Sequence, residues 1–444
     1  MKQFFRVSLW QVISYSVLLQ TVVTVIVGQM ILQRKFASLK EIMDVSTAEI
    51  DVSGVRKVLI VRLDEIGDMV MFSPFLRALR RRLPEAHITL IVKPGVQNLV
   101  ARCPYVNEVL VFDQSGNRAE RFLRLPWRAM IFASRYLRHR SYDLALLPRW
   151  DTDYYYAAFI AFWSGAPLRL GYSETTTDYK RQVNRGFDRL LTHCLMDRSL
   201  KHDVEHNMTM IRFLGGDADD DRQEIWLDEN DEAFADVLLD GLGSSEILIG
   251  LGPSGGHSVL KQWPLEYFVE LGCHLHQKHG ARLLFVGGPG DEEMGKKLAH
   301  SIGASAIDLT GKMTLRQMAA VIKRCRVYVG NDSGPTHVAA AMGVPTVAIF
   351  GSSCPHRFHP GEHTALLWLD LPCGPCQSTD HTLNRCKSCI YDRPRCLIEI
   401  TPEIVEQAVM ESLSKPLVRL PLTATGVGFW KQLDVLTFSE TAHD

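Results

Sequence analysis

No excess of charge, no dinucleotide fingerprint and no repeat mark this sequence. Lysine and arginine number 49 against 50 acids, a net charge of −1, so nothing pulls the chain as a whole toward nucleic acid. The turn after the first apolar strand reads Arg62-Leu63-Asp64-Glu65-Ile66-Gly67-Asp68. It lacks the GxGxxG that a dinucleotide oxidoreductase places there. No periodicity of solenoid length is visible, which excludes a repeat array. Charge is missing altogether from residues 7–33, between Lys2 and Arg6 on one side and Arg34 and Lys35 on the other. That run is long enough to cross a bilayer. Its polar residues Gln11, Ser14, Gln20, Thr21, Thr24 and Gln29 fall mostly on one side of a helical wheel, so it either spans the membrane or lies in the interface. No small-x-small cleavage site follows, and the expectation is an anchor retained on the mature protein.

With 444 residues and 46% hydrophobic content, the chain can build two ordinary α/β domains and an added segment. Apolar strand patterns at 57–63, 87–92, 108–112, 143–147 and 168–171 alternate with helical ones, the first over 68–83, and an acidic loop follows at 215–221. The alternation restarts with strands at 247–251, 282–286 and 306–309 and helices at 264–279, 291–302 and 315–325. It predicts two parallel sheets with helices on both faces. The expected division is a membrane-associating helix and linker at 1–54, an acceptor half at 55–230, a nucleotide-sugar half at 231–415 and a tail at 416–444.

The densest signal is residues 327–350, VYVGNDSGPTHVAAAMGVPTVAIF, which read as strand, polar turn, small-residue helix and strand. Free N–H groups at a helix N-terminus carry partial positive charge and suit a phosphate or diphosphate. Asp332 or Ser333 is expected as N-cap and Pro335 as first helical residue, and these with Gly334 and Thr336 are expected to bind the donor. A glycine turn, Ser254-Gly255-Gly256, with Lys261 downstream, offers N–H groups and a mobile charge to the same anion. A third loop, Gly287 to Glu293, supplies Asp291 or Glu292 for a ribose hydroxyl, with helix capping as the alternative use. Across from these, Asp64, Glu65 and Asp68 stand at the mouth of the first strand. Asp68 either caps its helix or serves as a general base.

Five cysteines, Cys103, Cys194, Cys273, Cys325 and Cys354, are scattered singly and read as reduced, packed thiols. The other five, Cys373, Cys376, Cys386, Cys389 and Cys396, contain C-x2-C twice, a spacing that suits structural zinc or an iron–sulfur cluster. Seven arginines between Arg118 and Arg140, interleaved with Leu123, Leu125, Trp127, Ile131, Phe132 and Leu137, form either a solvated helix face or a surface for anionic lipid or a phosphorylated acceptor.

These motifs together resemble glycosyltransferase family 9, the ADP-heptose:lipopolysaccharide heptosyltransferases. The resemblance covers roughly residues 57–410 and rests on VLIVRLDEIGDMVMFSPFLRALRRRLPEAHITLIV, SYDLALLP, the KQWP turn, FVGGPGDEE and GNDSGPTHVAAAMGVPTVAIFG. It implies a GT-B fold of two Rossmann-like domains facing across a cleft, no essential metal or cofactor, and inversion at the anomeric centre. By position, it implies that Asp68 is the base, that Lys261 holds the donor phosphate, that Asp332, Ser333 and Gly334 form the phosphate turn, and that Glu292 or Asp291 binds the ribose. The expected function is transfer of a sugar, heptose for instance, from a nucleotide diphosphate to a lipopolysaccharide-core-like or other envelope glycan, at the cytoplasmic face of the inner membrane. The alternative is a catalytically silent, membrane-tethered binder of nucleotide or glycan. Two stretches depart from the pattern: Asp64 and Glu65 replace small polar residues, and residues 148–156 replace a QG-type turn.

Overall fold

The computed structural model describes residues 50–116, 118–240, 247–256, 258–361, 363–376 and 388–414. The apolar run at 7–33, the tail at 416–444 and Cys386 lie outside these. Among these residues, twelve strands form two wholly parallel sheets. β1 (Lys57–Val61), β2 (His87–Val92), β3 (Glu108–Val111), β4 (Leu144–Leu147), β5 (Leu168–Tyr172) and β6 (His193–Leu195) are ordered β3-β2-β1-β4-β5-β6. β7 (Leu248–Gly252), β8 (Arg282–Phe285), β9 (Ala306–Asp308), β10 (Val327–Asn331), β11 (Thr346–Phe350) and β12 (Thr364–Trp368) are ordered β12-β11-β10-β7-β8-β9. Both are doubly wound, and the strand order reverses between β1 and β4 in one and between β7 and β10 in the other. Ligands of such sheets bind outside the strands' carboxyl ends at that reversal. Val58, Leu59 and Ile60 of β1 and Val327, Tyr328 and Val329 of β10 are wholly buried, as strands covered on both faces must be.

The structure corrects several local expectations. The helix expected over 68–83 is two helices, Ile66–Met71 and Ser73–Arg82, meeting at Phe72. Pro74, in the first turn of the second, brings no N–H to continue a ladder. Ser333, not Asp332, caps helix Gly334–Ala341, and Pro335 is its second residue rather than its first. Pro264 caps helix Leu265–His279 rather than beginning it. The short edge strands β6 and β12 went unforeseen, because three to five residues between loops carry too little pattern to read.

The halves are packed together. Buried apolar side chains run in one connected cluster from Val58 and Val70 through Met208 and Ala235 to Met318, Ala320 and Val338. The closest approach is where helix Ile66–Met71 meets helix Gly334–Ala341. A Cβ on Gly67 would stand 2.7 Å from His337 Cδ2, and one on Gly334 2.7 Å from Ile66 Cβ. Each helix thus presents a glycine to a side chain of the other, which brings both helix N-termini to one place. Of the arginines between 118 and 140, Arg128 is tied to the Ser115 carbonyl at 2.9 Å and Arg140 to Glu108, while Arg124, Arg135 and Arg138 are exposed.

Replacing Gly67 by Ala is expected to destabilise the protein by about 1–3 kcal/mol in urea unfolding, because the crossing is overpacked. The control is Gly95→Ala, where a Cβ meets nothing within 4 Å. Equal, small effects of both changes would contradict the close crossing.

Candidate active site

The loops expected to bind the donor all leave the carboxyl ends of β7, β8 and β10. Asn331, fully buried at the end of β10, donates from Nδ2 to the Pro253 carbonyl at 2.8 Å and accepts the Trp263 N–H on Oδ1 at 3.0 Å. It therefore pins the loop after β7 at both ends. Within that loop a Cβ on Gly255 would fall 2.8 Å from the Ser258 carbonyl, and Gly256 takes a positive φ of 63°, a conformation glycine adopts freely. Ser254 Oγ donates to Asp291 Oδ1 at 3.0 Å, and Asp291 Oδ2 accepts the Gly288 N–H at 2.8 Å. Asp291 is thus the fastener between two loops, with both oxygens engaged. Glu292 accepts the Gly290 N–H at 2.7 Å and lies half-buried against Gly311.

Lys261 Nζ donates to Asp332 Oδ2 at 2.7 Å, and Ser353 Oγ donates to the same oxygen. Burial alone would raise the Asp332 carboxyl, but Lys261, with His337 at 3.8 Å, holds it well below the usual carboxylate range. Asp332 is ionised and 6% exposed, so its role toward an anion is to hold Lys261, not to touch the anion itself. Thr336 does not offer its hydroxyl to a ligand. Its Oγ1 is buried and donates to the Asn331 carbonyl at 2.6 Å. Ser333 and Gly334 remain at the helix start, where N–H groups have no intrahelical acceptor.

Asp68 lies on the first-half helix of the crossing, half-buried. Its Oδ2 accepts the Glu65 N–H at 3.2 Å, so it does help cap its helix. Burial pushes its carboxyl up to about 6; Asp203 adds to this, Arg62 opposes it and Asp151 adds again. Among the described residues no salt bridge to Asp68 occurs. The cations around it are engaged elsewhere, in a closed ring that sequence reasoning missed. Arg62 pairs through Nε with Asp64 and through Nη2 with Asp203 at 2.9 Å. Arg149 pairs with the other oxygen of Asp64 and with Asp151 at 2.5 Å. Arg357, from the short helix Pro355–Phe358 after β11, reaches Asp151 at 3.1 Å and Asp203 at 3.4 Å. Three arginines and three aspartates alternate, and all but Arg149 are under a tenth exposed. Removing one member of such a pairing strands a buried charge at a cost of about 3–5 kcal/mol. Asp151 and Asp203 are held below the usual carboxylate range despite burial, Asp151 by Arg149 and Arg357 and Asp203 by Arg62 and Arg357. A sequence signal existed: Asp64, Arg149 and Asp151 all lie in the two stretches that depart from the family pattern.

The cysteine segment stands apart from this. Cys373, Cys376, Cys389 and Cys396 are half-buried. Among the described residues no group of three or more His, Cys, Asp or Glu side chains is set to hold a metal.

Residues 131–387 match the model of glycosyltransferase family 9 (heptosyltransferase). The chain belongs to glycosyltransferase family 9. As a family 9 member it is an enzyme, a glycosyltransferase. It is 27% identical over 318 residues to lipopolysaccharide heptosyltransferase 2 of Escherichia coli K12, covering 70% of this chain and 86% of that protein. Over 173 residues it is 30% identical to lipooligosaccharide heptosyltransferase 2 of Campylobacter jejuni, covering 38% of this chain and 51% of the relative. Its fold resembles that of a family 9 glycosyltransferase from Veillonella parvula, with a TM-score of 0.65 at 24% identity over 83% of this chain and 99% of the other. E. coli ADP-heptose heptosyltransferase II superimposes with a TM-score of 0.60 at 23% identity, over 80% and 98% of the two chains. Two facing six-stranded parallel sheets are thus the GT-B-like arrangement of family 9.

If Asp68 must be ionised to accept a proton, the rate of this glycosyltransferase falls as pH drops through the folded pKa of that carboxyl. With the group raised to about 6, kcat/KM is expected to lose about tenfold per pH unit below that value and to plateau above it. A profile flat from pH 5 to 8 would contradict the assignment.

Proposed function

We propose that this family 9 glycosyltransferase is an inverting, metal-independent heptosyltransferase. In this reading it moves heptose from ADP-heptose to a hydroxyl of a lipopolysaccharide-core-like acceptor. The observation that carries this is the pairing of an unpaired, raised carboxyl, Asp68, on one helix of the crossing with a lysine and a helix N-terminus on the other side. The donor and acceptor classes are supported by the relatives, which are lipopolysaccharide and lipooligosaccharide heptosyltransferases.

The chemistry follows from the charges. The acceptor oxygen attacks the anomeric carbon from the face opposite the diphosphate, and Asp68 takes the hydroxyl proton as that bond forms. The bond to the diphosphate oxygen breaks, and negative charge grows on the leaving group. Lys261 has three N–H donors, so it keeps its bond to Asp332 while offering others to the phosphate. The N–H groups at the start of helix Gly334–Ala341 add their partial positive charge. Groups fixed in this way stabilise charge that develops in the transition state without having to reorganise. A single displacement inverts the centre. Glu292, rather than the doubly engaged Asp291, is the acid left to hold a ribose hydroxyl.

Asp68→Asn keeps the shape and removes the base. Transfer is expected to fall by about 10²–10⁴-fold while the affinity for ADP, measured calorimetrically, stays within about twofold, less than the tenfold that 1.4 kcal/mol would bring. Parental turnover by this variant would show that another group takes the proton.

A further inference from the structure

The reaction just described uses none of Arg149, Asp151 or Arg357, yet all three stand in the ring beside the base. Arg357 is the only ring member from the second half; Arg62, Asp64, Arg149, Asp151 and Asp203 all come from the first. It is 2% exposed and lies between the Trp150 ring, 5.0 Å from its guanidinium carbon, and the Phe358 ring at 4.6 Å. The segment after β11 that carries it also holds Ser353, which bonds the Asp332 carboxylate that holds Lys261. One short segment after β11 therefore touches the donor-side lysine pair at one end and the acceptor-side ring at the other.

We propose that Arg357 is a positioning residue, an electrostatic latch from the donor half that closes the ring and balances the Asp151 and Asp203 carboxylates beside Asp68, so that the base sheds its proton near neutral pH only when the halves are together. The inference rests on Asp68 being the base. Arg62 has every arm assigned: Nε to Asp64, Nη2 to Asp203, and Nη1 to Asn207 at 3.2 Å. Asp203 shares its second oxygen with Arg357, as Asp151 shares one with Arg357 and the other with Arg149. Without Arg357, two buried carboxylates next to Asp68 each lose a cation. Asp68 feels Asp203, Arg62 and Asp151 and accepts the Glu65 N–H; His337 packs across the crossing against Gly67, His202, His206 and Arg357 stand near Asp203, and Asp64 and Arg149 complete the ring. Burial holds His202 and His206 below the ordinary imidazole value, His206 down to about 3. Near neutral pH these two add no positive charge to replace the lost guanidinium.

The sign of the effect separates a latch from mere packing. Loss of a cation makes a neighbouring carboxyl hold its proton to higher pH, and loss of an anion does the reverse. The test follows ADP release from ADP-heptose by the full-length enzyme, with a deacylated, heptose-deficient lipopolysaccharide core as acceptor, from pH 4.5 to 9. In Arg357→Gln the acidic limb of kcat is expected to move up by about half a pH unit or more; in Asp151→Asn it moves down, and in the double variant it returns to within about 0.2 of the parent. Arg357→Lys, which keeps the charge, restores most of the parental limb. If both single variants lower the plateau and leave the limb in place, Arg357 is packing only and the latch is wrong. Should Arg357→Gln fail to fold, the Asp151→Asn shift and its reversal in the double variant decide the matter alone. A parental profile with no acidic limb would sink the assignment of Asp68 and the latch with it, whereas an unmoved limb sinks the latch alone.

Discussion

A paired cation holds a carboxylate in its ionised form and weakens it as a base, whereas burial without such a pair makes it hold a proton more readily. Around Asp68 the cations are kept from pairing by occupation. The nearby guanidiniums of Arg62, Arg149 and Arg357 are each bound to two of the aspartates Asp64, Asp151 and Asp203. Burial then acts on Asp68 unopposed by a salt bridge and raises it to about 6. The same burial acts on Asp332 with the opposite result, because there Lys261 and His337 are at hand. Two aspartates on opposite sides of one helix crossing thus acquire opposite characters: one ready to take a proton, the other fixed as an anion that holds a lysine.

The fold delivers these groups by topology. Each sheet reverses its strand order once, and the loops flanking each reversal carry the residues of the proposed mechanism. Arg62 to Asp68 follow β1 and Arg149 and Asp151 follow β4, while the glycine loop follows β7 and Asp332 to Gly334 follow β10. Asn331 then pins the glycine loop with buried hydrogen bonds, and Asp291 joins it to the loop after β8 through one half-buried and one exposed bond. Gly67 and Gly334 allow the two helix N-termini to meet, since a methyl group at either position would collide with the other half.

The architecture was legible in the sequence because alternating apolar strands and amphipathic helices carry a strong local pattern. Both doubly wound sheets and ten of their twelve strands follow from it within a residue or two. The donor loops were legible for the same reason: glycines, a lysine and a helix start are adjacent along the chain. The ring was not, because its members come from four separate stretches between Arg62 and Arg357 and are joined only by folding. Nothing local marks Arg357 as the partner of Asp151, 206 positions earlier. The helix break at Phe72 was missed although Pro74 announces it, and Thr336 was assigned to the ligand although its hydroxyl turns inward to the Asn331 carbonyl. In both cases the residue type was read correctly and its direction was not.

The central claim is that the diphosphate and the base meet across the helix crossing. A crystal structure of the enzyme with ADP bound tests it most directly. The account predicts phosphate oxygens on Lys261 Nζ and on the N–H of Gly334, with Lys261 still bonded to Asp332 and Asp68 facing the phosphate with no cation paired to it. A diphosphate seated away from both Lys261 and the start of helix Gly334–Ala341, or an arginine swung onto Asp68, would contradict it.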